Sequence, residues 1–246
     1  MGMEIRARAR VFDPTLLATF PAVGGFPTIV VGTAEQTGKS SSDWVLTLLH
    51  EHFHQWQYSL PDYYRRVDSL DLSGGDSTGM WMLTYPFPYE SPGVQKAAKR
   101  LALAVSTALD ASRGRDARAL SAVIEARTAL GRLLTPAQNR YLEFQLWQEG
   151  VARFIEYEAA GLAATGGQPS PAFRALSDYE PYAIQTRRKR LALQRELDEL
   201  DLGRDLRTSF YSLGAGLGLL LDMHRPEWKR GYETAPFQMT SYLSAD

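Results

Sequence analysis

His50-Glu51-His52-Phe53-His54 packs three of the chain's four histidines and one carboxylate into five positions. On a helix, side chains four apart lie one above the other, so His50 and His54 aim two imidazoles at one point. Glu51 stands beside them, within reach of anything held there. Two imidazoles and an adjacent carboxylate are the parts of a catalytic zinc site: two ligands, and a base to take a proton from water. His52 points to roughly the opposite side of the helix, so it cannot share a metal with His50 and His54. A structural role or support of a ligand is expected for it.

Two histidines alone hold zinc poorly, and a third protein ligand is required. Glu149, Glu143, Asp222 and His224 are the candidates, with Glu149 preferred. It lies mid-helix in Trp147-Gln148-Glu149-Gly150-Val151-Ala152-Arg153. Gly150 and Ala152 leave that face without bulk, which predicts close approach of the histidine helix. A glycine inside a helix costs about 1 kcal/mol relative to alanine and so has a packing or functional reason. Glu156, seven residues on and on the same face, is placed to hydrogen-bond a ligating imidazole.

H-E-x-x-H on one helix followed by E-G-x-A on a later one resembles the gluzincin branch of zinc metallopeptidases. The resemblance covers two short motifs and the general helix order. It implies a zincin-like fold, Zn2+ held by His50, His54 and Glu149, and Glu51 as general base in peptide-bond hydrolysis. Two departures stand out. His52 occupies a position that is usually apolar, and His54 lies 95 residues before Glu149, farther than in compact members. Tyr211-Ser212-Leu213-Gly214 looks like the Tyr-x-x-Gly pattern some relatives carry after the glutamate. It implies a Tyr211 hydroxyl that donates a hydrogen bond to the oxyanion of a tetrahedral intermediate. Arg153 is a further candidate for contact with a carboxylate or oxyanion.

The elements that must position these residues follow from local signals. Ser40-Ser41-Ser42-Asp43 reads as an N-cap region, and Trp44, Val45, Leu48 and Leu49 form an apolar stripe at helical spacing. The histidine helix is expected over about Asp43 to Tyr58, ending before Pro61. Thr135-Pro136-Ala137-Gln138 is a capping box with proline at the first helical position, and predicts a helix to about Ala164 that stops at Gly166-Gly167. A helical hairpin is expected over about 93–111 and 115–133, and further helices over Pro181–Leu202 and Thr208–Met223. Alternation of Ile5, Ala7, Ala9 and Val11 with arginines predicts one strand, and Pro27–Gly32 a second. Residues 60–92 read as irregular, with a strand at Trp81–Tyr85. The expected class is α+β and mainly helical: one metallopeptidase-like unit over 1–246, with an N-terminal lobe to about 92 and a helical lobe beyond.

Composition narrows the field. The formal net charge is −1, which gives no overall attraction to nucleic acid or to an anionic membrane. The chain has no cysteine, which excludes disulfides and thiolate zinc sites. No run of apolar residues is long enough to span a membrane. The N-terminus lacks the layout of a secretory signal, so the cytoplasm is favoured, with export as the alternative if a leader has been removed. Arg187-Arg188-Lys189-Arg190 reads as the solvated face of a helix. The expected partner is a peptide or protein substrate, extended along a sheet edge at Thr28–Val31, with the aromatic loop Trp81–Tyr89 lining the cleft. The alternatives are a partner-specific binding protein on the same scaffold, a zinc hydrolase of another amide or ester, and a phosphate-binding loop at Gly38-Lys39-Ser40.

Overall fold

Strand β1 (Leu17–Val23) and strand β2 (Phe26–Val31) form an antiparallel hairpin that pairs Leu17 with Val31 and Thr19 with Ile29. Gly24 and Gly25 make the two-residue turn, both at positive φ, as the twist of a tight hairpin requires. Pro21, which has no N–H to donate, falls where the register is irregular. The computed structural model describes residues 7–110 and 117–244.

The strand expected over Ile5–Val11 is not formed. Residues 7–11 have no regular structure and are exposed, and residues 5 and 6 lie outside the described residues. A strand needs a partner, and β2 finds its partner two residues upstream, where closing the loop costs least. Strand β2, a loop and a helix from Ser41 do follow in the order of a phosphate-binding loop, but β2 sits in a two-stranded antiparallel hairpin. Lys39 is paired with Asp43 at 3.1 Å instead.

The sheet lies on α1 (Ser41–Ser59), whose N-cap Ser40 accepts from the Asp43 N–H and whose last turn gives way to extended backbone at Leu60, before Pro61. Side chains of α1 bind it to the hairpin. Trp44 Nε1 donates to the Gly32 carbonyl at 2.7 Å, and Gln55 Nε2 to the Pro27 carbonyl at 3.0 Å.

Between 60 and 92 the chain is mostly irregular. It holds α2 (Tyr63–Asp68) and a single turn, α3 (Trp81–Thr84), where a strand was expected. Asp76 accepts from the Trp81 N–H at 2.7 Å, and Trp81 buries its ring 5.3 Å from that of Phe144. The backbone is thereby turned away from any ladder.

The helical lobe follows: α4 (Pro92–Leu109) and α5 (Ala117–Gly131) as a hairpin, then α6 (Pro136–Gln145), a π turn over Leu146–Gly150, and α7 (Val151–Gly166) as one continuous rod. The capping box at Thr135 is present in both directions. After α8 (Pro171–Arg174) comes α9 (Tyr182–Asp198), which ends four residues earlier than expected. Asp201 then caps a separate turn, α10 (Leu202–Asp205). Helix α11 (Ser209–His224) runs through the middle of the lobe with nearly every residue buried, and α12 (Trp228–Thr234) and α13 (Ser241–Ser244) close it. Trp147, Tyr141, Phe144, Phe154 and Phe210 are the largest fully buried side chains.

Gly150 makes the close approach that a helical glycine predicts, but to a different helix. A Cβ on Gly150 would lie 2.4 Å from the Cα of Gly214, so the π turn touches α11 backbone to backbone, not α1. The result is a mainly helical fold with a small N-terminal antiparallel sheet packed on a helical lobe, a zincin-like arrangement.

Candidate metal centre

Helix α1 and the π turn bring His50, His54 and Glu149 together, with one ligand atom from each lying within 4.8 Å of the others. His50 Nε2 is 3.1 Å from His54 Nε2, and Glu149 Oε2 is 3.3 Å from His54 Nε2 and 3.9 Å from His50 Nε2. Four-coordinate zinc with bonds of about 2.0–2.2 Å sets its ligand atoms roughly 3.4 Å apart. The three atoms already approximate one face of that tetrahedron. Both imidazoles are buried, and two nitrogens with one carboxylate oxygen are a donor set that suits zinc.

The tautomers fit as well. Each Nδ1 faces an acceptor: Glu156 Oε1 at 2.9 Å for His50, and Gln57 Oε1 at 2.7 Å for His54. An Nδ1–H donated there leaves the Nε2 lone pair of each ring for a metal. The expected contact of Glu156 with a candidate ligand is therefore made.

Behind His50 the support is charged. Glu156 Oε2 accepts from Lys189 Nζ at 2.7 Å, and Lys189 also reaches Asp43 at 2.8 Å. Arg153, raised as a contact for substrate, pairs with Glu196 at 3.2 Å and lies 4.0 Å from Glu156. Behind His54 the support is neutral. Gln57 Nε2 meets the carbonyls of Trp147 and Gln148 at the π turn, and the hydroxyl of Tyr232 at 2.7 Å. Gln148 Nε2 donates to Gln57 Oε1, and Tyr63 donates to Gln148 Oε1 at 2.9 Å.

Electrostatics follow from this packing. Burial pulls the His50 imidazole down, but hydrogen bonds and charge from Glu149 and Glu156 outweigh it and raise its pKa to about 9. Burial raises the Glu149 carboxyl, yet the two imidazoles overcome this and hold it well below the ordinary range. Glu156 is likewise held low against burial by His50, Arg153 and Lys189. A proton on His50 offsets the two carboxylates in the metal-free site.

Glu51 and Tyr211 line the same cleft, which has a volume of about 1030 Å³. The Thr19 hydroxyl of β1 donates to Glu51, with the carboxylate Oε2 at 2.8 Å and the backbone carbonyl at 2.9 Å. Glu51 Oε1 has no hydrogen-bond partner among the described residues. The ring of Tyr211 lies parallel to that of His50, with centroids 6.1 Å apart, and its hydroxyl accepts from Arg207 Nη1 at 3.0 Å. Burial first, then the Glu149 carboxylate, pushes the Tyr211 phenol above its ordinary range, so it keeps its proton. Tyr58 is a second phenol of this kind in the cleft.

Other candidates fall elsewhere. Glu143 accepts from Arg127 at 2.8 Å and from the Thr240 hydroxyl, and Asp222 accepts from Trp228 and Lys229. His224 ends α11, outside the cluster. His52 is exposed, and its Nδ1 faces Gln55 Oε1 at 3.1 Å. The cleft wall is β1, from Leu16 to Pro21, and not β2, because β2 contributes no residue to it. Opposite stand Ser77, Met80 and Leu83, while Trp81 turns into the core. The stretch Trp81–Tyr89 thus supplies non-aromatic side chains to the cleft.

Gln57, Gln148, Lys189 and Arg207 were not singled out from the sequence. Gln57 is seven residues after His50, a spacing that puts it on the same face of the expected helix, whereas Arg207 precedes the helix expected from Thr208 and had no such signal. Lys189 lies with Tyr182, Gln185, Leu193 and Leu197 on the inward stripe of α9. The basic run is therefore not all solvated. No protein-family model, curated protein or solved structure matches this chain.

Proposed function

We propose that this chain is a zinc-dependent hydrolase that cuts peptide bonds, with Glu51 as general base. The observation that carries the reading is the His50–His54–Glu149 cluster inside a cleft that also holds Glu51. His50 Nε2, His54 Nε2 and Glu149 Oε2 would hold the metal. Zinc in that place supplies Lewis acidity, polarising a carbonyl and lowering the pKa of water toward neutrality.

The chain's own groups do the rest. Glu51 takes the proton from the attacking water through its unpaired oxygen while Thr19 fixes the other. The water oxygen bonds to the carbonyl carbon, the C–N bond breaks, and Glu51 returns the proton to the leaving nitrogen. Tyr211, still protonated, donates to the developing oxyanion. An extended substrate adds a strand along β1, whose outer side forms the wall of the cleft.

Elemental analysis of the wild type beside Glu149→Ala tests the centre. One zinc per chain in the wild type and a sharp loss in the variant are expected; no zinc in the wild type after zinc addition would sink the reading. Glu51→Gln should keep its zinc and lose turnover on a peptide library. Full activity in that variant rules out the base.

A further inference from the structure

The cleft lining carries four Lys and Arg side chains and four carboxylates, before His50 or any metal is counted. A dication held by two neutral imidazoles and Glu149 adds two positive charges to it. Three of the cations keep partners of their own: Lys39 on Asp43, Lys189 between Asp43 and Glu156, and Arg153 on Glu196. Arg207 differs. Among the described residues its only carboxylate is Glu149, at 3.2 Å, the one a metal would share.

Arg207 is held firmly. Nη1 donates to Glu149 Oε1 and to the Tyr211 hydroxyl, and the guanidinium lies over the Tyr211 ring, 5.3 Å from its centroid. Its Nε–H and Nη2–H groups meet no acceptor among the described residues, and the side chain keeps 22% of its surface open. Those two groups form a planar fork that matches a carboxylate.

We infer that Arg207 binds the free C-terminal carboxylate of the substrate, which makes the bond that is cut the last one of the peptide. The inference rests on the hydrolase reading and names its substrate class. Reach agrees with it. A terminal carboxylate carbon is three bonds from the preceding amide carbonyl carbon, which places the two roughly 3–4 Å apart through space. Arg207 Nη1 lies 3.2 Å from Glu149 Oε1, the other oxygen of the carboxylate whose Oε2 faces the two imidazoles. Hydrolysis adds water across the amide: its oxygen joins the carbonyl carbon, the C–N bond breaks, and the nitrogen leaves protonated. The products are a peptide shortened by one residue and a free amino acid.

The test uses zinc-loaded Glu51→Gln protein and calorimetric titration with N-acetyl dipeptides bearing Ala, Leu, Phe or Lys, each as the C-terminal acid and as the amide. At least one acid should bind tenfold or more tightly than its amide. The difference should vanish in the Glu51→Gln/Arg207→Gln protein and return in part with Arg207→Lys. Equal binding of acid and amide, or binding of neither, overturns the proposal, and that comparison needs no change at Arg207. Zinc content is measured first on every protein. Zinc missing from the wild type brings down the hydrolase reading together with this one. Zinc present without a preference for acids brings down this one alone.

Discussion

The two histidines of the candidate centre are supported in opposite ways. Behind His50 stands a chain of charges, Glu156 to Lys189 to Asp43, drawn from three helices. Behind His54 stand two amides and two phenols with no formal charge. Both orient a ring by its Nδ1, yet they answer differently to pH and to mutation. A charge chain is held by counter-charges and is costly when one is removed. An amide network is held by donor and acceptor counts and costs what its orphaned groups cost.

The largest effect should come from Glu156→Leu. It leaves Lys189 with Asp43 alone, half-buried Arg153 with Glu196 alone and the His50 Nδ1 without its acceptor, a combined loss of about 3 kcal/mol. Urea unfolding of the metal-free protein measures it, and a loss below about 1 kcal/mol would show the charge chain to be no more demanding than the amide side.

The next effect is one of pH. With a pKa of about 9, His50 carries a proton in the metal-free protein at pH 6 to 8, and a metal must displace it. Zinc affinity should then rise about tenfold per pH unit up to about 9, since one unit is 1.36 kcal/mol. Titration in buffers of different ionisation enthalpy should show close to one proton released from His50. Metal-free stability runs the other way: the raised pKa contributes fully below about 6.5 and is lost as pH climbs through 9. Thermal melts of the apo protein across that window give the slope, and a flat profile contradicts the assignment.

Gln57→Met comes third. It strips the acceptor from His54 Nδ1 and from Gln148 Nε2, but these two lie 3.2 Å apart and can pair with each other, so the loss is about 1–3 kcal/mol in all. The loss should barely change between pH 6 and 9, in contrast with the charged side. His52→Ala is the smallest: an exposed ring on the far side of α1, expected to leave stability within about 0.5 kcal/mol and zinc content unchanged.

Helix α1, the Thr135 capping box and the residues of the metal cluster were legible because their signals are local. A cap acts within one turn, and two imidazoles four apart share a face wherever the helix goes. What was not legible depends on distant partners. The alternation over Ile5–Val11 is a sound strand pattern that finds no ladder, because Gly24-Gly25 gives β2 a nearer partner. Trp81–Thr84 has strand-like residues, but Asp76 takes its first N–H. Gly150 announced a close contact without saying with what, and only the fold reveals Gly214. The site shows the same divide. Glu149 and Glu156 were found on one helix face, whereas Arg207 and Lys189 arrive from helices whose placement no local pattern records.

The contact between Gly150 and Gly214 has a consequence for the rest of the chain. Glu149 precedes one of these glycines and Tyr211 stands three residues before the other, so the spacing between carboxylate and phenol is gauged by main chain alone. No rotamer stands in that gap. Substitutions at Leu217 or Leu220, deeper along α11, should lower the melting temperature while the spacing between Glu149 and Tyr211 stays as it is. A side chain at either glycine, by contrast, would push the two backbones apart and move the carboxylate away from the phenol.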